Sequence, residues 1–111
     1  MKILGIESSC DDTAASVVKI TNCTDNKKIE VLSSIVLNQN SLHSEFKGIV
    51  PEIAARDHSA KIIGILKQLL KQTDHKLTDI DLIAYTAGPG LIGSLMIGET
   101  VAKTIANVLN I

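Results

Sequence analysis

The chain changes its hydrophobic period once, at Pro51, and that change decides which folds are open to it. Before Pro51 the apolar residues come in short β-branched runs: Lys2 to Glu7 (KILGIE), Thr13 to Ile20 (TAASVVKI) and Ile29 to Leu37 (IEVLSSIVL). These read as three strands of an antiparallel meander, joined by the turn ESSCDD and by the polar cluster Thr21 to Lys28. Asn38 to Val50, with His43, Phe46 and Gly48, reads as a loop. From Pro51 the apolar spacing becomes three to four. Pro51 suits a first helical turn, and Glu52 places a carboxylate at the positive end of the helix. Ile53, Ala55, Ser59, Ile62, Leu66 and Leu69 make the expected apolar stripe, which Ile63 and Leu70 widen.

Asp81 to Thr86 (DLIAYT) is a continuous apolar run, the pattern of a parallel strand covered on both faces. Gly88-Pro89-Gly90-Leu91 breaks it, and Ile92 to Leu109 reads as a second helix. Ser94, Gly98, Ala102 and Ala106 fall four apart on that helix, a small-residue ridge that lets the sheet or the first helix come close. The order is therefore βββαβα. A right-handed crossover through the first helix would set the fourth strand parallel to the first. That order belongs to the ribonuclease H-like half-domain of the actin, sugar-kinase and Hsp70 class. Such a half continues with a further strand, so the chain is expected to be an incomplete half-domain over residues 1–111, cut before its last strand and without a second subdomain.

Composition narrows the class. With 111 residues there is room for one domain, and with 45% hydrophobic but 2% aromatic residues the core must be aliphatic. A net charge of −1 excludes a broad basic surface for nucleic acid. Cys10 and Cys23 match no paired-cysteine framework and read as reduced thiols. The Asn22-Cys23-Thr24 sequon would go unused in a chain that is not secreted. No apolar run approaches the roughly 20 residues of a membrane span, so a soluble, cytoplasmic protein is expected.

Three constellations carry chemistry. The first is Glu7-Ser8-Ser9-Cys10-Asp11-Asp12-Thr13, a turn whose N–H groups suit a phosphate and whose carboxylates suit a metal ion. The same residue types also form ordinary Asx and Ser/Thr turns. Cys10 has no basic neighbour in sequence to make it a nucleophile. The second is Tyr85 to Ser94, a strand-to-helix loop with free N–H groups. Gly88, Gly90 and Gly93 spell GxGxxG, yet Pro89 removes an N–H, a helix and three strands precede the loop, and no acid follows about 20 residues later, against a dinucleotide site. The third is Pro51 to His58, where Glu52 and Arg56 fit a solvated ion pair. His43, His58 and His75 are too scattered for a metal signature, and no protein-only metal site is assigned.

Taken in order, LGIESSCDDT, FKGIVPEIAARDH and DLIAYTAGPGLIGSLMIG resemble the N-terminal half of the TsaD family over nearly the whole chain. That family is the tRNA threonylcarbamoyladenosine transferase, formerly called Gcp or O-sialoglycoprotein endopeptidase. The resemblance implies an actin-like (ASKHA) fold and a transferase that moves a threonylcarbamoyl group from threonylcarbamoyl-AMP to the anticodon-adjacent adenosine of tRNAs reading ANN codons. By resemblance the catalytic acid falls on Asp11 or Asp12, with Ser8, Ser9 and Thr13 on the phosphate or carbamoyl side and Gly88, Pro89 and Gly90 beside the metal. The family holds one divalent metal, iron or zinc, through an HxxxH motif placed beyond Ile111, so this chain is expected to bind none alone and to be inactive alone. The expected partners are TsaB- and TsaE-type proteins and, through the complete protein, tRNA and the adenylate. Lys47-Gly48-Ile49 stands where the family has GGI, and Glu99 where it has small residues, which predicts looser packing of the second helix. Two other readings follow from the same residues. One is a binding scaffold that pairs with TsaB, or with itself as a homodimer, through Ile62, Leu66 and Leu69. The other is the metallopeptidase of the older family name.

Overall fold

The computed structural model describes residues 1–22 and 27–111. Strands β1 (Lys2–Glu7), β2 (Asp12–Asn22) and β3 (Lys27–Asn38) form the antiparallel meander, each a little longer than or equal to its expected run. Cys23 to Asn26, with most of the sequon and half of the polar cluster, lie outside the described residues. The segment expected as a loop instead holds a short helix α1 (Asn40–His43) and a 3₁₀ turn at Ser44–Phe46, organised around the buried side chains of Gln39 and His43. Helix α2 (Pro51–Thr73) starts with proline at its first position and ends at Asp74, whose left-handed backbone returns its N–H to the last turn. Strand β4 (Leu82–Tyr85) pairs parallel with β1, as the crossover argument requires, and gives the sheet order β3-β2-β1-β4. Helix α3 (Ile92–Leu109) occupies the expected residues.

One face of the sheet carries the core. Leu4 and Ile6 of β1 and Ala15 and Val17 of β2 alternate onto it and meet Ile62, Ile65, Leu66 and Leu69 of α2 and Ala102 of α3. Each Leu or Ile sealed there contributes about 1.5–3 kcal/mol before entropy is charged against it. The other parity faces outward: Leu82 is 42% exposed, Ala84 is exposed, and their register partners Ile3 and Gly5 are only partly covered. This corrects the expectation of a fourth strand covered on both faces, because α2 and α3 both pack against the Leu4–Ile6 side.

The apolar face of α2 is also rotated from the expected one. It runs Ala54, His58, Ile62, Ile65, Leu66 and Leu69, whereas Ser59 is exposed and Ile63 is 49% exposed. A histidine can take a core position when its ring nitrogens have partners, and His58 has them. The small-residue ridge of α3 behaves as read. Ser94, Gly98 and Ala102 are buried, and a Cβ on Gly98 would stand 2.6 Å from the Ser8 hydroxyl. Glu99 does not loosen this packing, since it lies off the ridge and pairs with Lys103 one turn on.

Candidate functional site

Parallel pairing sends β1 and β4 in the same direction, so the loops that leave their carboxyl ends emerge side by side. In open α/β sheets that edge is where ligands bind. The Ser8–Asp11 turn leaves β1, and the Thr86–Leu91 loop leaves β4 and leads into α3. They are joined directly: Leu91 N–H donates to the Ser9 carbonyl at 2.8 Å. Gly90 makes that approach possible, because a Cβ there would lie 2.5 Å from the Ser9 carbonyl oxygen and 2.8 Å from its Cβ. Helix α3 begins immediately after the junction with no side-chain cap and no acid in its first turn. Its first-turn N–H groups therefore keep their capacity for an anion.

The residues expected at the site divide into two groups. Ser9, Asp11, Gly88, Pro89 and Gly90 lie partly or fully exposed on the joined loops. Ser8 does not. It is 2% exposed, and its hydroxyl donates to the Ser94 carbonyl at 2.8 Å and accepts from Gly98 N–H at 3.1 Å, so it fastens β1 to α3 instead of facing a phosphate. Thr13 is fully buried beneath the turn, its hydroxyl 2.7 Å from His58 Nδ1. Asp12 is half-buried, and one of its oxygens accepts from the Asn38 side-chain amide at 2.6 Å, a closure of the β2–β3 pair. Asp11 is half-buried like Asp12, with its carboxylate beside the Cys10 thiol.

Sequence reasoning placed Glu7 in the polar turn but gave it no role of its own. At the end of β1 its carboxylate accepts hydrogen bonds from Ser9 N–H and from the Thr86 hydroxyl, one from each loop. Burial alone would raise its pKa, but the bonds from Ser9 and Thr86 together outweigh that and hold the carboxyl below the ordinary carboxylate range. Glu7 is thus an anionic staple between the two loops. Its residue type was visible; its direction was not, because it depends on Thr86 arriving from β4. Cys10 stays a thiol: partial burial pushes its pKa up, and the neighbouring Asp11 carboxylate adds to the effect.

Behind the turn lies a buried polar chain. His58 Nε2 is 3.1 Å from the Cys10 carbonyl, and its Nδ1 is 3.4 Å from the Gln39 amide nitrogen. That nitrogen also donates to the Ala54 carbonyl at 3.3 Å, while the Gln39 amide oxygen is 3.0 Å from His43 Nε2. Val50 N–H, at the entry of α2, donates to His43 Nδ1 at 3.3 Å. Among the described residues no three His, Cys, Asp or Glu side chains converge to hold a metal ion, and His43 and His58 are committed inward. The described residues do not fit the expected iron or zinc, and no step below is derived through a metal.

The other notable concavity lies on the open face of the sheet, a shallow hollow of about 350 Å³ floored by Gly5, Ala14, Ser16 and Ala84 and bordered by Glu7 and Thr86. Its walls are mostly apolar, and it meets the joined loops only at their base, at Thr86. The scaffold face read from Ile62, Leu66 and Leu69 is not available for a partner: all three are core residues, Leu69 fully buried. Among the described residues no helix is long and apolar enough to cross a membrane.

The model of the family described as tRNA N6-adenosine threonylcarbamoyltransferase (TsaD) matches residues 30–111. Proteins of that name from Rickettsia massiliae (strain Mtu5) and Rickettsia canadensis (strain McKiel) are each 50% identical to the chain over 109 and 108 residues. The matches cover 98% and 97% of this chain, but the chain spans only 30% of the length of either relative. Among solved structures, YeaZ from Pseudomonas aeruginosa superposes with a TM-score of 0.67 at 17% identity, over 98% of this chain and 40% of that one. An uncharacterized protein with similarity to peptidase YEAZ from Pseudomonas aeruginosa gives 0.68 at 16%, over 98% and 39%. At such identities these likenesses speak for the fold alone, and the fold is the actin-like (ASKHA) half-domain.

Proposed function

The chain belongs to the tRNA N6-adenosine threonylcarbamoyltransferase family, and we propose that it supplies the amino-terminal part of the transferase site. The reaction is transfer of a threonylcarbamoyl group from threonylcarbamoyl-AMP to the anticodon-adjacent adenosine of tRNAs reading ANN codons. One observation carries the assignment: the two motif-bearing loops, 79 residues apart at Glu7 and Thr86, are stapled into one ledge at the carboxyl ends of parallel strands. In this reading the ledge faces the adenylate. The α3 N-terminus and the exposed N–H groups of the Gly88–Gly90 loop receive a phosphate oxygen, stabilising charge as AMP departs. Asp11 faces the reacting carbamate, where a carboxylate can accept the proton that the adenosine amine loses as the new C–N bond forms. Asp12 acts one step removed, holding the strand pair from which the turn departs.

Iron or zinc, tRNA and the TsaB- and TsaE-type partners enter this reading through the whole protein. A partner surface finds some support on α3, where Ile92 is 80% and Met96 57% exposed, four residues apart on the outward side. The test is formation of threonylcarbamoyladenosine, read by mass spectrometry of digested tRNA after threonylcarbamoyl-AMP is supplied. The protein extended to the length of its relatives should form it, Asp11→Ala should abolish it, and the 111-residue chain alone should form none. Full activity in Asp11→Ala would refute the assigned role.

A further inference from the structure

The buried chain behind the turn has a defined hydrogen order. A backbone N–H can only donate, so Val50 N–H leaves His43 Nδ1 without a proton and places the His43 hydrogen on Nε2. That hydrogen meets the Gln39 amide oxygen, which turns the amide nitrogen toward the Ala54 carbonyl and His58. With the Thr13 hydroxyl and the Gln39 amide nitrogen both at its Nδ1, His58 accepts there and carries its hydrogen on Nε2. Nε2–H then donates to the Cys10 carbonyl. One residue further along the turn, Gln39 N–H donates to the Asp11 carbonyl at 3.0 Å. The turn is thus gripped on consecutive carbonyls, one by a side chain of α2 and one by the backbone ahead of α1.

We propose that His58 is a positioning residue for the ligand-facing turn, holding Cys10 and Asp11 at the height of the Gly88–Gly90 loop through its Nε2–H bond. The inference rests on the reading of Asp11 as the acid that faces the carbamate. His58 is fully buried and touches no accessible surface, so it acts only through the turn. A core position that needed only volume would be filled by leucine without the cost of satisfying two ring nitrogens. Each of those nitrogens has a partner, and the hydrogen order is dictated from Val50, the residue just before α2. The position of the turn is in this way tied to the start of α2.

The experiment uses nuclear magnetic resonance on the 111-residue chain and reads no transfer activity, so its outcome is independent of the transferase assignment. In the unaltered chain, long-range ¹H–¹⁵N correlations of the rings should show His58 and His43 each with its hydrogen on Nε2 and with Nδ1 as the acceptor. A His58 hydrogen on Nδ1 overturns the proposal without any variant. Two variants then separate positioning from packing. Gln at this position can place an amide N–H near the site of Nε2, whereas the shorter Asn reaches only the level of Nδ1. Hydrogen exchange at the Gln39 and Leu91 amides, both bonded to turn carbonyls, reports whether the turn is held. His58→Asn should speed their exchange by about threefold to tenfold relative to amides of the β1–β2 ladder, the loss expected for one hydrogen bond. His58→Gln should restore the ratio. If both variants speed all amides together, His58 is a packing residue and the proposal fails.

Discussion

Gly98→Ala tests the junction between β1 and α3 with an effect that opposes ordinary helix propensity. Within a helix this substitution normally stabilises by about 1 kcal/mol. Here the new Cβ would stand 2.6 Å from Ser8 Oγ and 3.5 Å from an Ile6 methyl, closer to the oxygen than any real contact allows. The hydroxyl cannot move away freely, because it donates to the Ser94 carbonyl and accepts from Gly98 N–H in a buried position. Overpacking costs about 1–3 kcal/mol, and a buried hydroxyl stripped of its partners about 1–3 kcal/mol more. After the propensity gain the net loss is roughly 3 kcal/mol, or about 15 °C in Tm for a domain of this size. The assay is thermal and urea unfolding followed by circular dichroism, with Gly64→Ala as the comparison. Gly64 is exposed in α2 with nothing near its absent Cβ, so Gly64→Ala should raise Tm. The double variant Ser8→Ala, Gly98→Ala removes the oxygen and leaves the new Cβ 3.7 Å from the Cβ at position 8, an ordinary contact, so it should recover much of the loss. A stabilising Gly98→Ala, or strict additivity in the double variant, would refute the reasoning.

Gly90→Ala places a Cβ 2.5 Å from the Ser9 carbonyl, where backbone cannot yield cheaply; it should break the Leu91–Ser9 bond and weaken adenylate binding about tenfold or more, measurable by calorimetry. Glu7 supplies a pH dependence. Its folded pKa lies below the ordinary value of 4.5, so its contribution to stability is complete above that pH and is lost as pH falls through the lower folded value. Urea midpoints should therefore decline for the unaltered chain as pH drops below 4.5, and the decline should be shallower in Glu7→Gln; equal slopes would contradict the staple.

Much of the fold was legible because it follows from period and punctuation. The strand runs, the proline at the start of α2 and the glycine break before α3 each mark a local physical change that neighbours in sequence reveal. The phase of α2 was not legible, since a stripe drawn from apolar residues runs through Ile53 and Ser59 and misses His58. Burial of His58 depends on Thr13 and the Cys10 carbonyl from the first turn and on Gln39, all far from it in the chain. The same holds for the short helix within 38–50, which forms around Gln39 and His43. At the candidate site, sequence reasoning singled out the two loops but not how their polar groups divide. Ser8, Ser9, Asp11, Asp12 and Thr13 look equivalent along the chain. Only the register of β1 with β2, and the approach of α3, send Ser8 and Thr13 inward and leave Ser9, Asp11 and Asp12 partly exposed. The role of Glu7 was hidden for the complementary reason, its partner Thr86 lying on a loop distant in sequence.

The central claim is that the Ser9–Asp11 turn and the Gly88–Gly90 loop form a single adenylate-facing ledge. The most direct measurement is a titration of the ¹⁵N-labelled chain with threonylcarbamoyl-AMP, following amide shifts residue by residue. The account predicts changes concentrated at Ser9 to Asp11 and at Ala87 to Gly93, with the β2–β3 ladder unmoved. Changes centred on Gly5, Ser16 and Ala84, on the open face of the sheet, would contradict it.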